Sequence, residues 1–137
     1  MQTDDIDLRG AHILVVDDDP DNREVLAIVL QDSGASVAQA ESAEQALAAY
    51  QEQRPHLVIT DIGLPDHDGF DLLRQLRALP AGERGHVPAI ALTGYSAPPD
   101  TARANEARFQ AHLTKPVDLP DVLRVVARVL RQAREPH

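Results

Sequence analysis

The sequence predicts an α/β domain built on a parallel sheet. Five short apolar runs alternate with five stretches of helical period, and each intervening stretch is long enough to cross from one strand to a parallel neighbour. With 137 residues, 43% of them hydrophobic, the chain fits one domain with a sizeable core and leaves no room for a second domain. We place that domain at 11–134, with a polar tail or linker over 1–10 and a short tail over 135–137.

His12 to Val16 (HILVV) reads as the first strand, and it stops abruptly at Asp17, Asp18 and Asp19 before Pro20. Asp19 or Asp21 caps the helix that Pro20 starts; Val25, Leu26, Val29 and Leu30 line its apolar face until Ser33 and Gly34. Ala35 to Ala38 makes a short second strand. Ser42 and Gln45 match a capping box that opens an alanine-rich helix running to about Gln53.

Leu57 to Thr60 forms the third strand, with Asp61 where it stops. Gly63, Pro65 and Gly69 interrupt regular structure before a helix from Phe70 to about Leu79. An exposed turn follows, then a fourth strand from Ala89 to Leu92 that ends in Thr93 and Gly94. Pro98 and Pro99 open a short helix through Glu106. Ala111 to Leu113 is the fifth strand, ending at Thr114, Lys115 and Pro116. A last helix from Leu119 turns Leu119, Val122, Leu123, Val126, Val129 and Leu130 inward and Arg124, Arg128 and Arg131 outward.

Composition narrows the function. There are no cysteines, so disulfides and thiolate metal sites are excluded. A net charge of -9 argues against direct binding to a nucleic-acid backbone. No apolar run approaches the roughly 20 residues that cross a bilayer, and the acidic N-terminus does not resemble a signal peptide. These features predict a soluble, cytoplasmic protein without membrane insertion. Of the 13 cationic residues, Lys115 alone is lysine, which marks it as a position where a compact ammonium on a flexible stem is needed.

In an open parallel sheet, ligands collect at the carboxyl ends of the strands. Asp17, Asp18, Asp61, Thr93 and Lys115 all fall on that edge. Clustered carboxylates repel one another, and a hard divalent cation such as Mg2+ relieves the repulsion. A hydroxyl and an ammonium beside them suit the oxygens of a phosphoryl group, leaving Asp61 as an in-line nucleophile whose product is an acyl phosphate.

The stretches HILVVDDDPDNREVL, DIGLPDHDGFDLLRQLR, AIALTGYS and HLTKPVD together resemble the receiver domains of two-component response regulators and hybrid sensor kinases, over nearly the whole chain. The wording of ALTGYS and AHLTKPVDL is most like receivers attached to hybrid kinases. The resemblance implies a flavodoxin-like, doubly wound five-stranded sheet in the order 2-1-3-4-5 with five flanking helices. It implies that Asp61 accepts the phosphoryl group, that Asp17, Asp18, Asp61 and the Gly63 carbonyl hold Mg2+, and that Thr93 and Lys115 contact the phosphoryl oxygens. The Lys115 to Pro116 bond is expected to be cis. Partners implied are a histidine kinase or histidine phosphotransfer protein and an unidentified output partner.

Departures from the family pattern are specific. His112 stands where a Tyr or Phe usually serves with the threonine as a switch, so either a histidine whose charge reports on the phosphoryl group or a buried structural imidazole takes that place. Gly63 offers no side chain to guide a hydrolytic water and Tyr95 is placed to shield the site, which points to a long-lived phosphoryl group. Arg108 occupies a turn where glycine is common. Two other readings compete: a receiver-shaped interaction module that works without phosphorylation, and an aspartate-nucleophile phosphohydrolase using the spacing of Asp17 and Asp19. The second lacks a further acidic motif after Lys115 and any cap insertion.

Overall fold

Strands that are apolar along their whole length need cover on both faces, and the helical stretches between them supply it. A computed structural model of the protein describes residues 6–64, 69–79, 87–93 and 109–134. The described elements are β1 (His12–Val16), α1 (Pro20–Asp32), β2 (Ser36–Ala40), α2 (Ala43–Gln53), β3 (Leu57–Asp61), α3 (Gly69–Ala78), β4 (Ala89–Thr93), β5 (Ala111–Thr114) and α4 (Leu119–Arg134). All strand pairs are parallel, and the order is β2-β1-β3-β4-β5. This is the expected flavodoxin-like sheet. The helix expected over 98–106, Tyr95, Arg108 and most of the turn before β4 lie outside the described residues.

Alternation along the strands divides the core in two. Ile13, Val15, Ile59, Ile90 and Leu92 face one way and meet Leu26 and Leu30 of α1 and Val122, Val126 and Val129 of α4. Leu14, Val16, Val58 and Ala89 face the other way, against Ala43 and Ala46 of α2 and Phe70, Leu73 and Leu76 of α3.

Caps explain where the first two helices begin. Asp19, not Asp21, caps α1, its carboxylate accepting from the Asp21 N–H at 3.0 Å. Ser42 Oγ accepts from the Gln45 N–H at 3.2 Å, while Gln45 Oε1 reaches past the cap to accept from the Glu41 N–H at 3.1 Å.

Three expectations are corrected. The buried face of α1 is Leu26, Ala27 and Leu30; Val25 is 45% exposed, and Ile28 beside it is 53% exposed. The apolar stretch offered two possible faces, and contact with the sheet selects the one centred on Leu26 and Leu30. β2 runs two residues beyond Ala38, because it pairs with the full length of β1, from His12↔Ser36 to Val16↔Ala40. As an edge strand it tolerates the exposed Gln39. Residues 6–10, assigned to a tail, close one end of the core: Leu8 is only 4% exposed, Ile6 packs on the same cluster, and the Leu8 N–H donates to Ser33 O at 2.7 Å.

Candidate functional site

Register brings the predicted site residues together. Val16 pairs with Thr60, so Asp17 and Asp61 leave β1 and β3 at the same level. Asp61 pairs with Leu92, and Thr93 with Thr114, so Thr93 and Lys115 follow on the same edge. The Lys115 N–H donates to Thr93 O at 2.8 Å, which holds the end of β5 against β4, and the Lys115 to Pro116 bond is cis. β5 and β3 are two strand spacings apart, roughly 10 Å, a gap the four-carbon lysine stem closes.

Lys115 Nζ donates to Asp61 Oδ2 at 2.8 Å and lies 3.1 Å from Asp17 Oδ2. The other oxygen of Asp61, Oδ1, accepts from the Gly63 N–H at 3.0 Å. The Gly69 N–H donates to Ile62 O at 2.7 Å, which holds the start of α3 against the end of β3. A Cβ on Gly69 would stand 2.6 Å from Asp61 O and 2.9 Å from the Ile62 Cα, so glycine is a steric requirement there. At Gly63 the same atom would sit an ordinary 3.9 Å from Asp61 Oδ1.

The two buried acids differ in access. Asp17's side chain is fully enclosed, whereas Asp61's is 12% exposed. Burial raises the Asp17 pKa above the ordinary carboxylate value and the Asp61 charge adds to this, against the lowering pull of the Asp19 N–H and Lys115. For Lys115, burial is the largest single influence and opposes the charge, but Asp61 and Asp17 together outweigh it and raise the pKa. The ion pair thus favours the ammonium more than it favours Asp17, because Lys115 shares one charge between two carboxylates and sits closer to Asp61.

Asp17, Asp18 and Asp61 each offer an oxygen within 4.8 Å of the others. Among the described residues, the buried Asp17 Oδ2 has only the Lys115 ammonium, 3.1 Å away, to answer it, which leaves this oxygen under-satisfied in a set of hard donors. These residues fit a divalent cation of the Mg2+ type.

Thr93 is half-buried at the end of β4. His112 is exposed, which removes the buried alternative for it; its ring lies 6.1 Å from Phe109, which in turn meets Phe70 edge-to-face at 5.9 Å. Sequence reasoning missed Arg23. Its guanidinium donates to the Asp17 carbonyl at 2.8 Å, and a bond to a main-chain acceptor leaves no motif to find.

A family model described as response regulator receiver domain matches residues 13–127. An uncharacterized 14.6 kDa protein of the sodA1 3' region in Leptolyngbya boryana is 45% identical over 126 residues, covering 92% of each chain. The DNA-binding response regulator MtrA of Mycolicibacterium smegmatis is 39% identical over 132 residues, 96% of this chain and 56% of that protein. The chain thus spans little more than half of that regulator. The crystal structure of a CheY-like response regulator receiver domain protein from Methanospirillum hungatei JF-1 superposes with a TM-score of 0.81 at 29% identity, over 90% of this chain and 95% of that one. These matches do not single out receivers attached to hybrid kinases. With the parallel sheet in the order 2-1-3-4-5, they show that the chain belongs to the response regulator receiver domain family.

Proposed function

We propose that the domain is the phosphoacceptor of a two-component phosphorelay. Asp61 takes a phosphoryl group from a phosphohistidine on a histidine kinase or histidine phosphotransfer protein. A carboxylate oxygen of Asp61 forms the new O–P bond while the P–N bond to the donor breaks, and its electron pair stays on the donor imidazole. Asp17, Asp18, Asp61 and the Gly63 carbonyl hold Mg2+, which when bound neutralises charge on the phosphoryl oxygens.

This reading rests above all on the Lys115 ammonium, 2.8 Å from Asp61 and 3.1 Å from Asp17. Before transfer it balances the carboxylates; afterwards it pairs with a phosphoryl oxygen, and the Thr93 hydroxyl donates to another. The Gly63 N–H fixes the plane of the Asp61 carboxylate for in-line attack. The chemistry is self-catalysed and serves a signal rather than a metabolic reaction. The signal leaves through the surface of β5, α4 and the helix expected over 98–106, with Thr93 and the exposed His112 as the switch pair. The cysteine-free composition is compatible with a reducing cytoplasm, where we place the exchange, and the net charge of -9 argues against direct binding to nucleic acid.

Asp17 as the nucleophile of a phosphohydrolase is the weaker reading. Its carboxylate is enclosed, and Oδ1 already accepts from the Asp19 N–H at 3.0 Å. Intact mass after incubation with Mg2+ and a small acyl-phosphate donor separates the readings. One adduct lost in Asp61→Asn supports the receiver, and an adduct lost only in Asp17→Asn supports the hydrolase. A protein that takes no phosphoryl group even from a phosphorylated histidine phosphotransfer protein is an interaction module that works without phosphorylation.

A further inference from the structure

None of the roles above falls to Arg23, yet its guanidinium braces the acidic turn from α1. Nη1 donates to the main-chain carbonyl of Asp17 at 2.8 Å, and Nε donates to Gln39 Oε1 on β2 at 3.1 Å. A planar fork satisfies two acceptors at a fixed angle, which a lysine cannot do. The other groups of Asp17 are held as well: its N–H donates to Ala40 O at 3.1 Å, and its Oδ1 accepts from the Asp19 N–H at 3.0 Å.

Asp18 depends on this brace. It is exposed, and among the described residues no hydrogen bond holds its carboxylate. Its direction is therefore set by the peptide that joins it to Asp17, whose oxygen is the one Arg23 grips. We infer that Arg23 is a positioning residue of the divalent-cation site: by tying the Asp17 carbonyl to Gln39, it aims Asp18 into the space shared with Asp17 and Asp61. The inference rests on the reading that these carboxylates bind Mg2+.

Charge and position predict opposite signs. By Coulomb's law, removing a cation from the neighbourhood of the carboxylates tightens their hold on Mg2+. Removing a group that orients a metal ligand loosens it, on the order of 10-fold to 100-fold. The sign of the change therefore tells the two apart.

MgCl2 is titrated by calorimetry into the wild type, Arg23→Ala, Arg23→Lys and Gln39→Ala, while the Asp17 and Asp18 amide resonances are followed in parallel. Thermal midpoints in EDTA report folding separately. Expected is Mg2+ binding about tenfold weaker in Arg23→Ala, with Arg23→Lys and Gln39→Ala between it and the wild type. A folded Arg23→Ala that binds Mg2+ as tightly as the wild type, or more tightly, overturns the inference, even if its midpoint drops. Should Arg23→Ala not fold, Gln39→Ala decides in the same way, weaker binding supporting the brace and equal or tighter binding overturning it. A wild type with no saturable Mg2+ binding overturns the cation reading itself, and the inference with it.

Discussion

Lys115 and Asp61 meet at 2.8 Å across the end of β4, the strand that lies between theirs. The contact joins β5 to β3 through side chains alone. It also supplies positive charge to an edge where Asp17, Asp18 and Asp61 converge.

Removing that charge leaves the carboxylates facing one another. We expect Lys115→Met to lower metal-free stability by about 2 kcal/mol, below the usual cost of breaking a buried pair because the lysine side chain is 20% exposed and partly screened. Millimolar Mg2+ restores part of the loss by standing in as countercharge. Urea unfolding with and without Mg2+ measures both effects.

Asp17 gives stability a pH dependence of opposite sign to that of an ordinary paired carboxylate. Burial raises its folded pKa above the unfolded value near 3.9. Between those two values the folded state binds more protons, so stability falls as pH rises through the window. Asp17→Asn keeps an acceptor for the Asp19 N–H and removes the buried charge. In EDTA at pH 7 the variant should be more stable than the wild type, because it no longer carries the buried charge. With Mg2+ the order reverses, because only the wild type gains from the ion. Thermal scans across pH, with EDTA or Mg2+, check the sign.

The two glycines beside Asp61 should behave differently. Gly69→Ala forces a Cβ against main-chain atoms at 2.6 Å and 2.9 Å, for which we expect a loss of about 1–3 kcal/mol. Among the described residues Gly63→Ala meets only an ordinary contact, and it should stay within about 0.5 kcal/mol of the wild type. A polar side chain at the same place, in Gly63→Asn, lies over Asp61 Oδ1 and can orient a water. Phosphoryl loss from that variant should be faster than from the wild type in a label-chase experiment.

On α1, Leu30→Ala removes a buried side chain and should cost about 3 kcal/mol. Val25→Ser and Ile28→Ser change exposed positions and should each stay within about 0.5 kcal/mol. Denaturant midpoints at constant m-value compare the three.

These α1 variants mark where the sequence could and could not be read. β1, β3 and β4 were legible because burial on both faces gives each an unbroken apolar run, Ile13 to Val16, Leu57 to Ile59 and Ala89 to Leu92. β2, at an edge, hid its length behind the polar Gln39. The face of α1 was ambiguous because Val25, Leu26, Ile28, Val29 and Leu30 fit two stripes, and only the sheet chooses between them. Ile6 and Leu8 were masked by acidic neighbours, since two apolar residues in a polar stretch carry no period. In the site, Asp17, Asp61 and Lys115 were legible because each ends a strand and parallel register gathers strand ends. Arg23 was not, because its partners are a main-chain carbonyl and a side chain on β2, and neither leaves a mark in the sequence.

The most direct test of the account is to locate the phosphoryl group. After phosphorylation by a small acyl-phosphate donor with Mg2+, borohydride reduces an aspartyl phosphate to homoserine, which peptide mass mapping places in the chain. The account predicts homoserine at position 61 and none in a sample prepared with EDTA. Homoserine at position 17 or 19 instead, or an adduct undiminished in Asp61→Asn, would contradict it.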